Sequence, residues 1–497
     1  MSAPTVNAPS GMNSRKQRPQ PTRRTLELFL LVLALGVTAL ADFLVSSSVG
    51  ASSNDTSWVT HVVVLGALGL GVNISLRLWA KYADPFILPV VVALNGIGLA
   101  MIHRLDLASS TAAGSNAATS QLLYTGLGMI CAVVVMWIIR DHRVLRRFTY
   151  VWLAASVVLL LLPLVPGLGA GTINGANIWI RVGSFSLQPG EFAKITLALF
   201  FASYLGSKRD LILLAGRKLG PLQLPRARDL GPMLVAWAVA LGVLVFQRDL
   251  GSAIMFFGLF MVMIYVATGR VSWIVIGLGL MVIGGAAAVM FMGHVQRRVN
   301  VWLNAFDPSV YEAKGGSLQI VQGLFAMANG GMAGTGLGGG QPYRIPVAKS
   351  DMIYASLGEE LGLIGMLAIV CLFLILISRG MRAALGARDS FGKLLGTGLS
   401  FILALQFFVV TAGVLRVMPL TGLATPFLAA GGSALLANWI LVSLLLLISH
   451  NARRPSTGGG TLSTTEQGLI DRKVEAKRAQ EAGEPGPAAP LAGGEDA

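Results

Sequence analysis

Residues 350–362 read SDMIYASLGEELG and set three carboxylates, Asp351, Glu359 and Glu360, at the mouth of a run apolar enough to cross a bilayer, LIGMLAIVCLFLILI. A carboxylate at mid-bilayer costs roughly 2.5–3.5 kcal/mol on insertion scales, so each of these needs a partner or a task. Two other stretches gather charge beside apolar runs. NIWIRVGSFSLQPGEFAKI carries Arg181, Gln188, Glu191 and Lys194. Pro189 suits the first turn of a helix, and Glu191 and Lys194 then stand at i, i+3 on one face, where they can pair. FQRDLGSA carries Arg248 and Asp249, and Lys349 stands just before Asp351.

Plain structural roles compete at each place. Glu191 with Lys194 could be a buried salt bridge, which costs far less than either charge alone. Arg248 and Asp249 could form a solvated turn, and Glu359 and Glu360 could brace helices. Asp351 could cap the following helix. On one helix Asp351 and Glu359 would be separated by ~12 Å of rise, too far for a directly paired carboxylate dyad. The glycine-rich GTGLGGG lacks the GK[ST] of a phosphate-binding P-loop. His103, His142 and His294 have no metal-ligand spacing, and no Ser–His–Asp set can be assembled. Cys131 and Cys371 lie in apolar runs, as small buried packing residues, with no disulfide framework.

The elements that hold these residues are set by composition. The 497-residue chain is 54% hydrophobic and 12% charged, with a mean hydropathy of +0.70; a soluble domain is about a quarter charged. Apolar runs near the ~20 residues needed to span hydrocarbon recur along it. The expected fold is an all-α polytopic membrane protein of about twelve transmembrane helices, at 26–46, 58–79, 85–103, 121–139, 148–166, 190–206, 231–247, 251–268, 271–292, 353–378, 395–415 and 425–449. Arginine and lysine clusters at the N-terminus and in RDHRVLRR, SKRDLILLAGRKLGPLQLPRARD, SRGMRAALGARDSFGK and HNARR all fall on one side, which is therefore cytoplasmic. The net charge of +15 is thus mostly a topology signal; no soluble basic face is present for nucleic acid. The basic start is followed by no cleavage site, so the first helix is retained.

Residues 293–351, on the outer face before span ten, form a loop long enough to be functional; Trp302, Phe306 and Phe325 argue that it is packed. Residues 1–24 and 451–497 are too polar to bury a core and are expected to be disordered on the cytoplasmic side. Between them, residues 25–147 read as N-terminal transmembrane helices and 148–450 as the core that carries the charged sites.

Four motifs in order then identify a resemblance. WIRVGSFSLQPGEFAKI resembles the QPSE-x-x-K segment of the SEDS family, the RodA/FtsW/SpoVE proteins, and QRDLGSA resembles its QPDLGTA turn. GGSLQIVQGLFAMANGGMAGTGLGGG with SDMIYASLGEELG is similar to its large outer loop and TDFIFA-x-x-GEELG helix start. MPLTGLATPFLAAGGSALLANW resembles its LP-x-TG-x-x-LPF-x-SYGGSS segment. The extra N-terminal spans and the LPRARDLGP loop resemble the actinobacterial RodA branch.

The resemblance implies a peptidoglycan glycosyltransferase of cell elongation and shape. Such proteins polymerise lipid II at the outer face of the cytoplasmic membrane and work with a class B penicillin-binding protein, a transpeptidase. The family's essential aspartate matches Asp351, its Glu/Lys pair Glu191 and Lys194, and its two glutamates Glu359 and Glu360, as cavity supports. Departures are Gly190 for the family's serine, Arg248 for its proline, and Ala429 and Ala430 for a Ser–Tyr pair. The implied reaction is a single inverting displacement with Asp351 as base, its basicity raised by partial burial. Arg181, Lys194, Arg248, Arg344 and Lys349 are candidates for the lipid pyrophosphate, with Gln188 and Asp249 beside them. A divalent cation such as Mg or Mn could share that work, but no DxD motif marks its site. The rival classes are a lipid II flippase or transporter, against which the charges form no path across the membrane, and a non-catalytic scaffold, for which Asp351 would be dispensable.

Overall fold

The computed structural model describes residues 22–48, 55–108, 116–172, 176–183, 185–214, 216–219, 222–225 and 227–455. The two segments expected to be disordered fall almost wholly outside them. The helices are α1 (Arg24–Ser48), α2 (Ser57–Trp79), α3 (Ile87–Leu107), α4 (Ala117–Ile138) and α5 (Thr149–Leu161). After these come a hairpin, β1 (Ile180–Val182) with β2 (Phe185–Leu187), then α6 (Pro189–Leu214) and a second hairpin, β3 (Gly216–Leu219) with β4 (Leu222–Pro225). The chain continues through α7 (Ala227–Gln247), α8 (Leu250–Thr268), α9 (Ser272–Phe291), α10 (Gly293–Leu303), α11 (Pro308–Tyr311) and α12 (Leu318–Gly330). It ends with α13 (Ile353–Gly386), α14 (Ser390–Val414) and α15 (Gly432–Arg453).

Twelve of these helices coincide with the twelve expected spans, and among the described residues ten are long and apolar enough to cross a membrane. α6 spends part of its first two turns on Glu191 and Lys194. The protein is a multi-pass membrane protein in which backbone polar groups are satisfied inside each helix, as lipid requires. The last expected span begins later than its hydropathy suggested, because residues 425–431 are non-helical and the helix starts at Gly432.

α3 and α15 are buried along most of their length, whereas α9 is almost wholly exposed, with Val282, Ile283 and Phe291 on its surface. Without a hydrophobic force between helices in lipid, such central helices associate by close packing and buried polar contacts. Gly98 shows both the need and the reason: a Cβ there would collide with the Leu428 carbonyl, so glycine lets the α14–α15 connection lie directly on α3.

The bundle has two polar ends. At one, Arg453 pairs with Asp84 at 2.6 Å and His142 meets Asp389 at 3.3 Å. At the other lie Asp351 and the segment 293–351. That segment is not an open loop. Trp302 donates to the Arg416 carbonyl at 3.0 Å, the Arg416 guanidinium stands 5.0 Å from the Phe306 ring, and Phe306 faces Phe325. α12 and the glycine-rich stretch after it pack along the first two turns of α13, which is broken at Gly362 (φ 64, ψ −170). Only after that kink does α13 become the plain apolar span.

Candidate functional site

The centre of the Asp351 end is the connection between α14 and α15, residues 415–431. Ala430 donates its N–H to the Lys349 carbonyl at 2.8 Å, fastening the strand that carries Asp351. Arg298 on α10 donates to the Leu420 and Thr421 carbonyls at 3.1 and 2.9 Å. Gln406 on α14 donates to the Ala424 carbonyl at 2.9 Å, and Gln121 on α4 to that of Ala429 at 3.1 Å. A Cβ on Gly251, at the start of α8, would be 2.7 Å from Leu423. Five elements thus converge on one irregular segment, and four of them satisfy its backbone groups.

Asp351 lies beside this segment, partly buried. Gly422 has φ 78, and a Cβ added there would sit 3.8 Å from Asp351 Oδ2. The capping alternative falls away: the N-cap of α13 is Met352, and no side chain caps the helix. Burial raises the Asp351 carboxyl above the ordinary carboxylate range, against the opposing pull of a Ser350 hydrogen bond and the Arg298 charge.

The sequence-expected pair on α6 forms. Lys194 Nζ lies 2.6 Å from Glu191 Oε2, 2.8 Å from Gln406 Oε1 and 3.3 Å from Asn438 Oδ1, with both charged residues buried. The ammonium donates to all three, as a buried cation must. It therefore ties α6 to α14 and α15. Gln188, just before α6, donates its backbone N–H to Ser433 Oγ at 2.9 Å.

Asp249 is buried, not solvated. It is the N-cap of α8, accepting from the Ser252 N–H at 3.0 Å. Burial raises its carboxyl; the Ser252 bonds and Arg298 oppose this, and Glu191 adds to it. Arg298 and Glu191 thus couple Asp249 electrostatically to the Asp351 and Lys194 clusters. Arg248 beside it is exposed, with φ 60. A proline ring cannot adopt that angle, so this turn is built differently from a QPDLG turn.

Glu359 and Glu360 find their partners in the glycine-rich stretch. Glu360 Oε1 accepts from Arg104 Nε at 2.9 Å and Oε2 from the Gly338 N–H at 3.1 Å. Glu359 Oε1 accepts from the Gln341 N–H at 3.0 Å and Asn329 Nδ2 at 3.2 Å. Arg104 also donates to the Gly340 carbonyl at 2.9 Å. Both glutamates are buried braces, two turns beyond Asp351.

Lys349 pairs with Asp106 at 2.5 Å, and Arg181 and Arg344 are exposed at the same end. No hydrogen bond among the described residues ties either arginine to the Asp351 cluster. Sequence reading missed Arg298, Gln406, Asn438 and Arg104. They are single polar residues in unremarkable contexts, and only tertiary contacts give them work. Two expectations need correction. Cys371 is exposed on the apolar surface, not buried, since it falls on the outward side of α13. His103, which has no ligand spacing in sequence, meets Asp42 and His61 in a buried group suited to a metal. Among the described residues that is the only such group.

A family model described as "Cell cycle protein" (FTSW_RODA_SPOVE) matches residues 85–454. The chain is 46% identical over 442 residues to a Mycobacterium tuberculosis protein named peptidoglycan glycosyltransferase RodA, covering 88% of this chain and 92% of that one. It is 35% identical over 390 residues to a Trichlorobacter lovleyi protein named probable peptidoglycan glycosyltransferase FtsW, covering 76% and 96%. A solved structure described as "Structural coordination of polymerization and crosslinking by a peptidoglycan synthase complex" is 25% identical, covers 74% of this chain and 98% of its own, and superposes with a TM-score of 0.60. The rod shape determining protein RodA of Thermus thermophilus, 24% identical with TM-score 0.51 over 74% and 96%, has the same fold. The family match begins at α3 and leaves α1 and α2 before it.

Proposed function

Because the chain belongs to the FTSW_RODA_SPOVE family of cell cycle proteins, we propose that it is a peptidoglycan glycosyltransferase of the elongation machinery, with Asp351 as its base. It polymerises lipid II into glycan strands at the outer face of the cytoplasmic membrane, and works with a class B penicillin-binding protein that crosslinks them. Its N- and C-termini are cytoplasmic, which puts the Asp351 end outside.

The reaction follows from the substrate. Lipid II carries its sugars on a long isoprenoid pyrophosphate, so its reacting atoms sit at the membrane surface, the level at which Asp351 opens. The C4 hydroxyl of the acceptor attacks the anomeric carbon of the donor chain. The new glycosidic bond forms as the bond to pyrophosphate breaks, the proton passes to the Asp351 carboxylate, and the lipid pyrophosphate leaves with the electron pair. One displacement inverts an α-linked donor to a β-linkage. Partial burial makes Asp351 a stronger base than a free aspartate. Arg181, Arg248 and Arg344 are exposed guanidiniums at this end and would offset charge on the departing pyrophosphate. Glu191 with Lys194, and Glu359 with Glu360, hold the walls.

The observation that supports this reading is a partly buried carboxylate, Asp351, beside the α14–α15 connection just before the apolar span of α13. The test is to purify the chain with its transpeptidase partner, supply lipid II and resolve the products by gel. Glycan polymer is expected. Lipid II translocation into liposomes with no polymer would overturn the reading in favour of a flippase.

A further inference from the structure

Away from Asp351, the same end of the bundle holds a second set of buried polar side chains that the reaction does not use. Asp42 on α1 is fully buried. Its Oδ2 lies 2.8 Å from His61 Nδ1 on α2, and its Oδ1 lies 2.6 Å from His103 Nδ1 on α3. The two imidazoles meet edge to face with centroids 4.9 Å apart. The far nitrogen of His103, Nε2, lies 3.2 Å from Asp55 Oδ2 and 2.9 Å from Ser57 Oγ. Asp55 is itself fixed by Ser46 Oγ at 2.9 Å and the Ser57 N–H at 3.1 Å.

We propose that Asp42, His61 and His103 bind a zinc-class divalent cation through one carboxylate and two imidazole nitrogens, with Asp55 as the carboxylate that orients His103. Two features point there. First, the donor atoms converge: two nitrogens and one oxygen from three helices lie within 4.8 Å of one another. Imidazole and carboxylate ligands suit zinc, and three protein ligands leave a position for water. Second, ligating histidines almost always donate their other ring N–H to a carboxylate, backbone carbonyl or water, and the His103–Asp55 contact supplies the carboxylate.

The charges suit a dication: with both rings neutral, its two positive charges are offset by the Asp42 and Asp55 carboxylates. The ion would lock α1, α2 and α3 together at the end where the next residue, Arg104, clamps the glycine-rich stretch to Glu360. It is a structural brace, and its presence does not depend on the chemistry at Asp351.

The test uses the full chain purified with a histidine-free affinity tag, stripped with EDTA, reloaded with zinc chloride, desalted and counted by plasma mass spectrometry. One zinc per chain is expected, with a zinc-dependent rise in melting temperature. X-ray absorption of the loaded wild type should show a nitrogen/oxygen shell containing two imidazoles. Asp42→Asn and His61→Ala should abolish stoichiometric uptake, and Asp55→Asn should weaken it about 10–100-fold. Wild-type uptake no greater than that of Asp42→Asn, or a bound ion with no imidazole shell, would overturn the proposal and leave a hydrogen-bonded cluster. The wild-type absorption spectrum decides the matter even if every variant fails to fold.

Discussion

Asp351 and Lys194 sit a short distance apart in function and far apart in what a mutation should do to them. Asp351 is partly exposed and acts through proton transfer, which is worth about 10²–10⁴-fold in rate. Its carboxyl is raised by burial, and a base must be deprotonated to act. Polymerisation should therefore fall as pH drops through a midpoint above the ~3.9 of a free aspartate, and a pH–rate profile with lipid II would show it; a flat profile down to pH 4 would count against the assignment. Lys194 is buried among three acceptors. Lys194→Met should leave Glu191 as an unpaired buried carboxylate and cost about 3–5 kcal/mol of stability, read by thermal unfolding in detergent. The double variant Glu191→Gln/Lys194→Met should recover much of that loss, because both charges leave together.

The helical elements were legible in the chain, and the irregular ones were not. Long apolar runs announce spans because the bilayer fixes their length, so twelve helices lie where hydropathy places them. Glu191 and Lys194 were readable as a pair because helical spacing is local. The wrapping of 318–341 around α13 was not readable, since it depends on Gly362 and Gly334 meeting across many residues. Gly362 has φ 64, and a Cβ there would collide with the Gly334 amide nitrogen. Gly362→Ala should therefore lower the melting temperature sharply and weaken the hold of Glu359 and Glu360 on the glycine-rich stretch. Gly422→Ala, by contrast, has room for the methyl at 3.8 Å from Asp351 Oδ2 and faces only its φ of 78. It should cost about 1–2 kcal/mol and slow polymerisation more than it harms folding. Arg248→Pro, although it restores the family's residue, should destabilise this chain because φ 60 excludes the ring.

For the whole molecule, glycan assembly at Asp351 requires the Asp351 end outside the cell and the Asp389 end inside. Cysteine at exposed Tyr343 should react with a membrane-impermeant thiol reagent in intact cells, and cysteine at exposed Arg143 should react only after permeabilisation. The reverse pattern would place the reaction on the wrong side of the membrane for glycan assembly. The histidine–aspartate cluster shows what a linear reading lacks at this scale: Asp42, His61 and His103 belong to three separate helices, and no spacing rule joins them. The central claim concerns one side chain, and one measurement addresses it most directly. Wild type and Asp351→Asn, each purified with the transpeptidase partner and shown to be folded and bound to it, are given the same lipid II and their glycan polymer is quantified. The account predicts polymer from the wild type and a loss of at least about a hundredfold in the variant; equal polymer from both would show that Asp351 is not the base.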